Sequence, residues 1–329
     1  MKKITLIVVT VLILAIISIQ PALAQQVIIR SGHSHSTDHA YHKAFEMWKE
    51  LLEKRSDKFV VEIFPASQLG NDEQMTEMVK LGKGAALQAV ITGRYEEMGR
   101  ELYTYNLPFL FKDFKHAQRV LNSPIGDYIA SFCELNNLKV LGWSIVGFRQ
   151  ITNNGFPIKT PDDLVGIKMR TPPTEDIIKT MTAFGASPTS IAYDELYMAL
   201  KTGVADAQEN PYMNIVSEHL YEVQDWCTEV NYRISAVPFA VNLEWFNNFS
   251  PEDQKMLSDT AKIACIYADS IAMAQENEYK QECIKNGMQI YVPSEEERQA
   301  FIDKVQSVYD FYVEDGVTTQ EIIDMIQSY

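Results

Sequence analysis

The sequence is sparing with cysteine, with positive charge and with anything resembling a linker. Its 329 residues hold four cysteines, and 29 lysines and arginines against 44 acidic residues, for a formal net charge of −15. That acidity argues against nucleic acid or an anionic membrane surface as partner. Cys133, Cys227, Cys265 and Cys283 form no CxxC pair and have no metal-type spacing with histidine. Cys265 and Cys283 fall on one predicted long helix, too far apart along it to bridge. A Cys133–Cys227 disulfide stays open as an alternative to the expected buried free thiols. No Gly-x-Ser-x-Gly turn is present, and the acids of "NDEQ" and "YDEL" have ordinary helix-start explanations. An exported hydrolase would therefore lack both an activated nucleophile and an evident carboxylate pair. No repeat, low-complexity tract or Pro/Gly/Ser-rich hinge divides the chain.

One long apolar run is present, at the beginning. Lys2 and Lys3 precede Ile4 to Ile19, and Ala22-Leu23-Ala24 follows. A charged start, apolar middle and small-x-small end describe a secretory signal peptide, residues 1–24, cut after Ala24. No cysteine follows the cut to carry a lipid, and no later run would span a bilayer. The expected mature chain has 305 residues (329 − 24) and a charge of −17 once Lys2 and Lys3 are gone. It should be exported and soluble.

The rest alternates. Strands are expected at 27–29, 59–64, 86–91, 138–146, 148–152, 167–170 and 188–191, with helices between them. Asp38 is the expected cap of the first helix, and Asn71 or Asp72 caps the second. Extended runs at 222–232 and 236–243 precede a helix of about 35 residues from Ser250, beyond the usual globular length. Strand–helix alternation implies an α/β architecture with mostly parallel sheets. Two lobes without a flexible hinge would be joined by crossing strands, with the long helix lying across both. Residues 25–147 and 236–275 would form the first lobe, and 148–235 and 276–329 the second.

In such sheets ligands bind beyond the carboxyl ends of strands. Arg170 ends the strand of "GIKMRTPP", where Pro172-Pro173 stops the strand and presets a helix start. Arg149 follows the strand of "VGFRQITNN", and Asn210 stands before Pro211 at another strand-to-helix turn. Two guanidiniums and an amide suit planar recognition of a carboxylate. The plainer alternative pairs Arg170 with an acid of the next helix, such as Glu175. Repetition of the same local geometry favours the ligand.

These stretches carry a resemblance. "GIKMRTPP", "ASPTSIAYDELYMALKTGVADAQENP" and "YEVQDW", with "FPASQLGNDEQMTEMVKLG" and "NLPFLF", resemble the solute-binding (DctP-type) subunits of tripartite ATP-independent periplasmic (TRAP) transporters across essentially the whole mature chain. The resemblance implies a type II-like, two-lobed periplasmic-binding-protein fold that closes on an organic acid and delivers it to the small and large membrane subunits. It places the carboxylate clamp on Arg170, the partner amide on Asn210, the second arginine on Arg149 and a packing aromatic on Tyr193. Asp72 and Glu73, after the second strand, would meet the ligand's far end. The reading is a monomeric binder, not an enzyme, with no cofactor.

"HSHSTDHAYH" gathers His33, His35, His39 and His42. A metal site is the sharper alternative, but the helix start directs His39 and His42 apart, and no metal is expected. One or two of these histidines, His33 or His35, should line the cleft instead. Arg149 and Arg170 fall in one lobe and should converge on one carboxylate, while Asp72 and Glu73 would repel a second. The expected ligand is a hydroxylated monocarboxylate such as a hexuronate. The alternatives are a C4-dicarboxylate, or a role as ligand sensor for a membrane receptor.

Overall fold

The computed structural model describes residues 26–82 and 87–329. The expected signal peptide and the first residue of the expected third strand, Ala86, lie outside the described residues. Among the described residues, eleven strands form two sheets. The first contains β1 (Val27–Gly32), β2 (Phe59–Phe64), β3 (Ala89–Ile91), β4 (Leu138–Phe148) and β10 (Ile234–Asn242), in the order β2-β1-β3-β10-β4. The second contains β5 (Gln150–Asn153), β6 (Lys168–Thr171), β7 (Ser187–Ser190), β8 (Ala207–Asn210), β9 (Trp226–Thr228) and β11 (Gln289–Tyr291), in the order β11-β9-β5-β8-β6-β7.

β1–β3 are parallel, as are β6–β8, because a helical crossover returns the chain each time. The exceptions join the lobes. β4 runs to Phe148 in the first sheet, and after Arg149 the chain continues as β5 in the second. β10 comes back from the second lobe and pairs antiparallel with both β3 and β4. Two crossing strands that brace each other replace the flexible hinge the sequence lacks.

Each sheet is covered on both faces; the strands of the first read as nearly continuous apolar runs, whereas β5–β8 of the second, QITN, KMRT, SPTS and AQEN, are mostly polar. One side of the first sheet packs against Tyr95, Tyr105 and Trp143, and the other against the helix Ala40–Arg55 and the long helix. The second sheet lies between cores around Met169, Phe184 and Phe301 and around Leu196, Cys227 and Cys283. The four cysteines are buried and free. Cys133 and Cys227 belong to cores of different lobes, so a bridge between them is ruled out by packing.

The long helix, Pro251–Lys285, has 35 residues and is capped by Ser250. Leu257 to Ala272 pack in the first lobe and Cys283 in the second, so one rigid element spans both. Asp269 fastens its middle to β4 by accepting from the Ile145 N–H at 2.7 Å. The expected lobe boundary differs at the C-terminus. The helices Gln306–Glu314 and Gln320–Ser328 return to the first lobe, where Val308, Tyr312, Ile323 and Ile326 join its core. Their apolar faces fit no surface readable from local sequence.

Candidate functional site

Between the lobes lies a cleft lined from both sides, the kind of concave interlobe site that holds a small molecule. Its walls come from the ends of strands of both sheets. Four arginines reach it: Arg94, Arg149, Arg170 and Arg233.

Arg170 lies on β6 between β7 and β8, one residue before the strand ends, and is 1% exposed. Pro172 and Pro173 end the strand, so the guanidinium faces the cleft. Its Nε donates to the Ile191 carbonyl at 3.0 Å, while Nη2 is buried without a partner. Burial is the main force on its pKa, lowering it to about 10, which leaves it charged at neutral pH. A buried cation with an unused donor is costly unless an anion completes it.

The other three arginines already have acids. Arg149 binds Glu209 through Nε and Nη2, the latter at 2.7 Å, and donates further to Asn210 Oδ1 at 3.0 Å and Ser235 Oγ at 3.3 Å. Arg233 pairs with Asp176, which also accepts from Asn106 Nδ2 at 2.8 Å. Arg94 grips Glu97 and donates to the Pro173 carbonyl across the cleft at 2.8 Å. Arg149 therefore differs from the expectation of two equivalent arginines on one carboxylate. Glu209, its neighbour across the β5–β8 pair, neutralises it. Asn210 orients between Arg149 and Gln208, its Nδ2 donating to Gln208 Oε1 at 2.6 Å.

The facing loop splits the two acids. Asn71, not Asp72, is the cap of the helix Asp72–Leu81, in a capping box with Gln74. That rotation puts Asp72 inside the cleft, where burial raises its carboxyl to about 6 against the pull of Ser34 and Arg94. Glu73 stays at the rim, its side chain 62% exposed and 3.8 Å from Arg94. Tyr193 lines the cleft with one ring face covered by His35 at a centroid distance of 4.4 Å, while its hydroxyl lies beside Ser217 and Glu218.

Of the histidines, His35 lines the cleft; His33 lies behind it, 3.1 Å from His42 through Nε2 and Nδ1. The first helix is capped by His39 rather than Asp38: its Nδ1 accepts from the Tyr41 N–H at 3.2 Å. The His39 proton thus sits on Nε2, which donates to Asn214 Oδ1 at 3.3 Å, while Asn214 Nδ2 donates to His35 Nε2 at 3.4 Å. Asn214 belongs to the second lobe, so these bonds bridge the lobes. Among the described residues, no group of three or more His, Cys, Asp or Glu is arranged to hold a metal ion. Because the ring nitrogens serve each other and Asn214, exhaustive chelation is expected to leave ligand affinity unchanged. A stoichiometric metal at 33–42, lost together with binding, would overturn this.

Arg94, Asp176, Glu209, Asn214 and Arg233 escaped the sequence reading. The rule that found Arg149 and Arg170, an arginine at a strand end, also fits Arg94 after β3 and Arg233 before β10. No local signal marked Asp176, which reads as an ordinary first-turn acid.

The model of bacterial extracellular solute-binding protein family 7, DctP, matches residues 31–315. The C4-dicarboxylate-binding periplasmic protein DctP of Rhodobacter capsulatus is 30% identical over 294 residues, covering 88% of this chain and 87% of the relative. The 2,3-diketo-L-gulonate-binding periplasmic protein YiaO of Escherichia coli K12 is 29% identical over 309 residues, covering 91% and 92%. A solved TRAP periplasmic solute-binding protein from Haemophilus influenzae, with bound L-gulonate, matches with a TM-score of 0.86 at 29% identity, covering 92% of this chain and 99% of that one. The interlobe cleft, the buried arginine at the end of β6 and the full-length match agree: the chain belongs to family 7 of the bacterial extracellular solute-binding proteins, the DctP-type binding subunits of TRAP transporters.

Proposed function

We propose that the protein captures a hydroxylated monocarboxylate, a hexuronate or a related sugar acid, in the periplasm and delivers it unchanged to its TRAP membrane subunits. One observation carries the ligand class. Among the described residues lining the cleft, Arg170 is the arginine with no acidic partner at salt-bridge distance, and one of its donors is unused. One unpaired cation suits one carboxylate. A dicarboxylate needs a second, and Arg149, Arg233 and Arg94 are each committed to a carboxylate of the protein.

The carboxylate would take Arg170 Nη2 in a dry cleft, where fork geometry makes a buried ion pair favourable. Asp72 and Ser34 would serve the ligand's hydroxyls, since each accepts or exchanges hydrogen bonds without adding a cation, and the Tyr193 ring would pack on the ligand body. Asn210 and Arg149 would orient that end of the site, and Glu73 and His33 would stay outside direct contact. Contacts to both lobes stabilise the closed form, which couples selectivity to closure. A leader at residues 1–24 accounts for export.

Thermal shift and calorimetry on the mature protein test this. L-Gulonate, D-glucuronate or D-galacturonate should bind at micromolar strength or better. Ligand at a hundredfold over Kd should add about 2.7 kcal/mol of stability. Micromolar binding of succinate or malate with no response to any sugar acid would refute the assignment, and conversion of a bound acid to product would refute the binder.

A further inference from the structure

The Arg233–Asp176 pair lies in the cleft away from the Arg170–Asp72–Tyr193 wall, and no part of carboxylate capture requires it. Arg233 sits where β10 crosses between the lobes, its carbonyl accepting from the Arg149 N–H at 2.8 Å. Asp176 stands in the first turn of the helix Glu175–Ala183 in the second lobe, and Asn106 reaches it from the first. Three parts of the fold therefore meet on one carboxylate, which joins the two lobes.

The bonding is incomplete in a specific way. Asp176 Oδ2 takes both Arg233 and Asn106, while Oδ1 is buried and empty. On the guanidinium, Nη1 is used and Nε is buried and empty. The hydroxyls of Thr92 and Thr174, which also line the cleft, are buried without partners. A buried polar atom left unpaired costs free energy, and two on the pair itself with two more on the cleft wall suggest that a ligand completes the set. The unused groups are one acceptor, one donor and two hydroxyls. An alcohol group both donates and accepts, so a polyol chain matches them. A carboxylate does not, since it would meet Asp176 without a compensating cation.

We propose that the Arg233–Asp176 pair is the specificity-determining subsite of the cleft, with Asp176 Oδ1 accepting from a ligand hydroxyl, Arg233 Nε donating to it or its neighbour, and a second carboxylate excluded. This rests on Arg170 holding the single carboxylate of a sugar acid. The subsite reads the other end of that molecule, with Asn106 of one lobe and Asp176 of the other held on the same carboxylate oxygen.

L-Gulonate and D-glucarate form a matched pair. They share one six-carbon hydroxylated chain and differ only in whether one end is a primary alcohol or a second carboxylate. Calorimetry on the wild type should show gulonate bound more tightly than glucarate. In Asp176→Asn the pair becomes cationic, so gulonate should weaken about tenfold or more while glucarate holds or improves, moving the gulonate-to-glucarate ratio by more than tenfold. Arg233→Gln leaves the anion instead and should move the ratio the other way. It also provides the answer if Asp176→Asn does not fold, as judged by its circular dichroism melt. Parallel weakening of both acids at constant ratio means a structural role and overturns the subsite alone. A wild type that binds neither acid, or an Arg170→Ala variant that still binds both, overturns the clamp and the subsite with it.

Discussion

Arg170→Ala is expected to fold and to lose organic-acid binding by two to three orders of magnitude. The size follows from burial. Arg170 is closed off from water, and its Nη2 has no partner in the protein. A ligand carboxylate placed against it would be desolvated too, and removing one partner of such a pair typically costs about 3–5 kcal/mol. The empty protein should not suffer in proportion. It loses the Nε bond to the Ile191 carbonyl but also sheds a buried cation that is incompletely satisfied. The melting temperature without ligand should be unchanged or raised, while the ligand-induced shift disappears. Arg170→Lys should weaken binding as well, because an ammonium cannot hold Ile191 and a carboxylate oxygen with one planar fork. Near-normal affinity in a folded Arg170→Ala protein would remove the clamp.

What the sequence disclosed, and what it withheld, divides along a physical line. Features set by the next few residues were legible. The β6 end is fixed by Pro172-Pro173, and the long helix by Ser250 as cap followed by Pro251 and an uninterrupted helical run. The crossing of the lobes followed from the missing linker. Features set by distant chain were not. Arg149 meets Glu209 sixty positions away, and Arg233 meets Asp176 at fifty-seven, so their charges look free until the sheets assemble. His39 displaces Asp38 as cap because its ring also reaches Asn214, a contact spanning 175 positions. Glu73 faces outward because the Asn71–Gln74 capping box sets the rotation of its helix by one residue. That small offset separates a rim charge from a cleft acid. The C-terminal helices settle on the first lobe through Tyr312 and Ile326, and an amphipathic pattern carries no address.

The histidine segment supplies the last expected result: acidification should erode wild-type stability relative to a His39→Asn variant. Burial is the first cause that holds these rings neutral. It lowers His39 to about 3 against the bond to Asn214, and lowers His33 to about 3 with help from the charges of His39 and His42. His35 lies well below its ordinary value for the same reason, and His42 is lowered although Glu46 and Asp38 pull it up. The sign follows from linkage. A histidine near 6.5 unfolded and near 3 folded binds its proton more readily in the unfolded chain. Its contribution is therefore whole above pH 6.5 and is lost as pH falls toward 3. Buried carboxyls run the opposite way: Asp72 is raised to about 6 and Asp269 to about 8, and Glu218 and Glu276 are raised too, each favouring the fold at lower pH. The total curve therefore mixes opposed terms, and the variant isolates one. Asparagine can cap the helix as His39 does, but it does not titrate. Between pH 6.5 and 5 the wild type should lose about 1.7 kcal/mol in total relative to His39→Asn, narrowing or reversing their gap in Tm by about 3 °C. Binding should not follow, because His39 stays neutral in the folded protein until the pH approaches 3 and the bridge to Asn214 keeps its bonds. L-Gulonate affinity should therefore not respond to His39 across this range, whereas Asp72 in the cleft, raised to about 6, changes its charge there in both proteins. A Tm gap that stays constant from pH 7.5 to 5 would show that His39 does not carry this linkage.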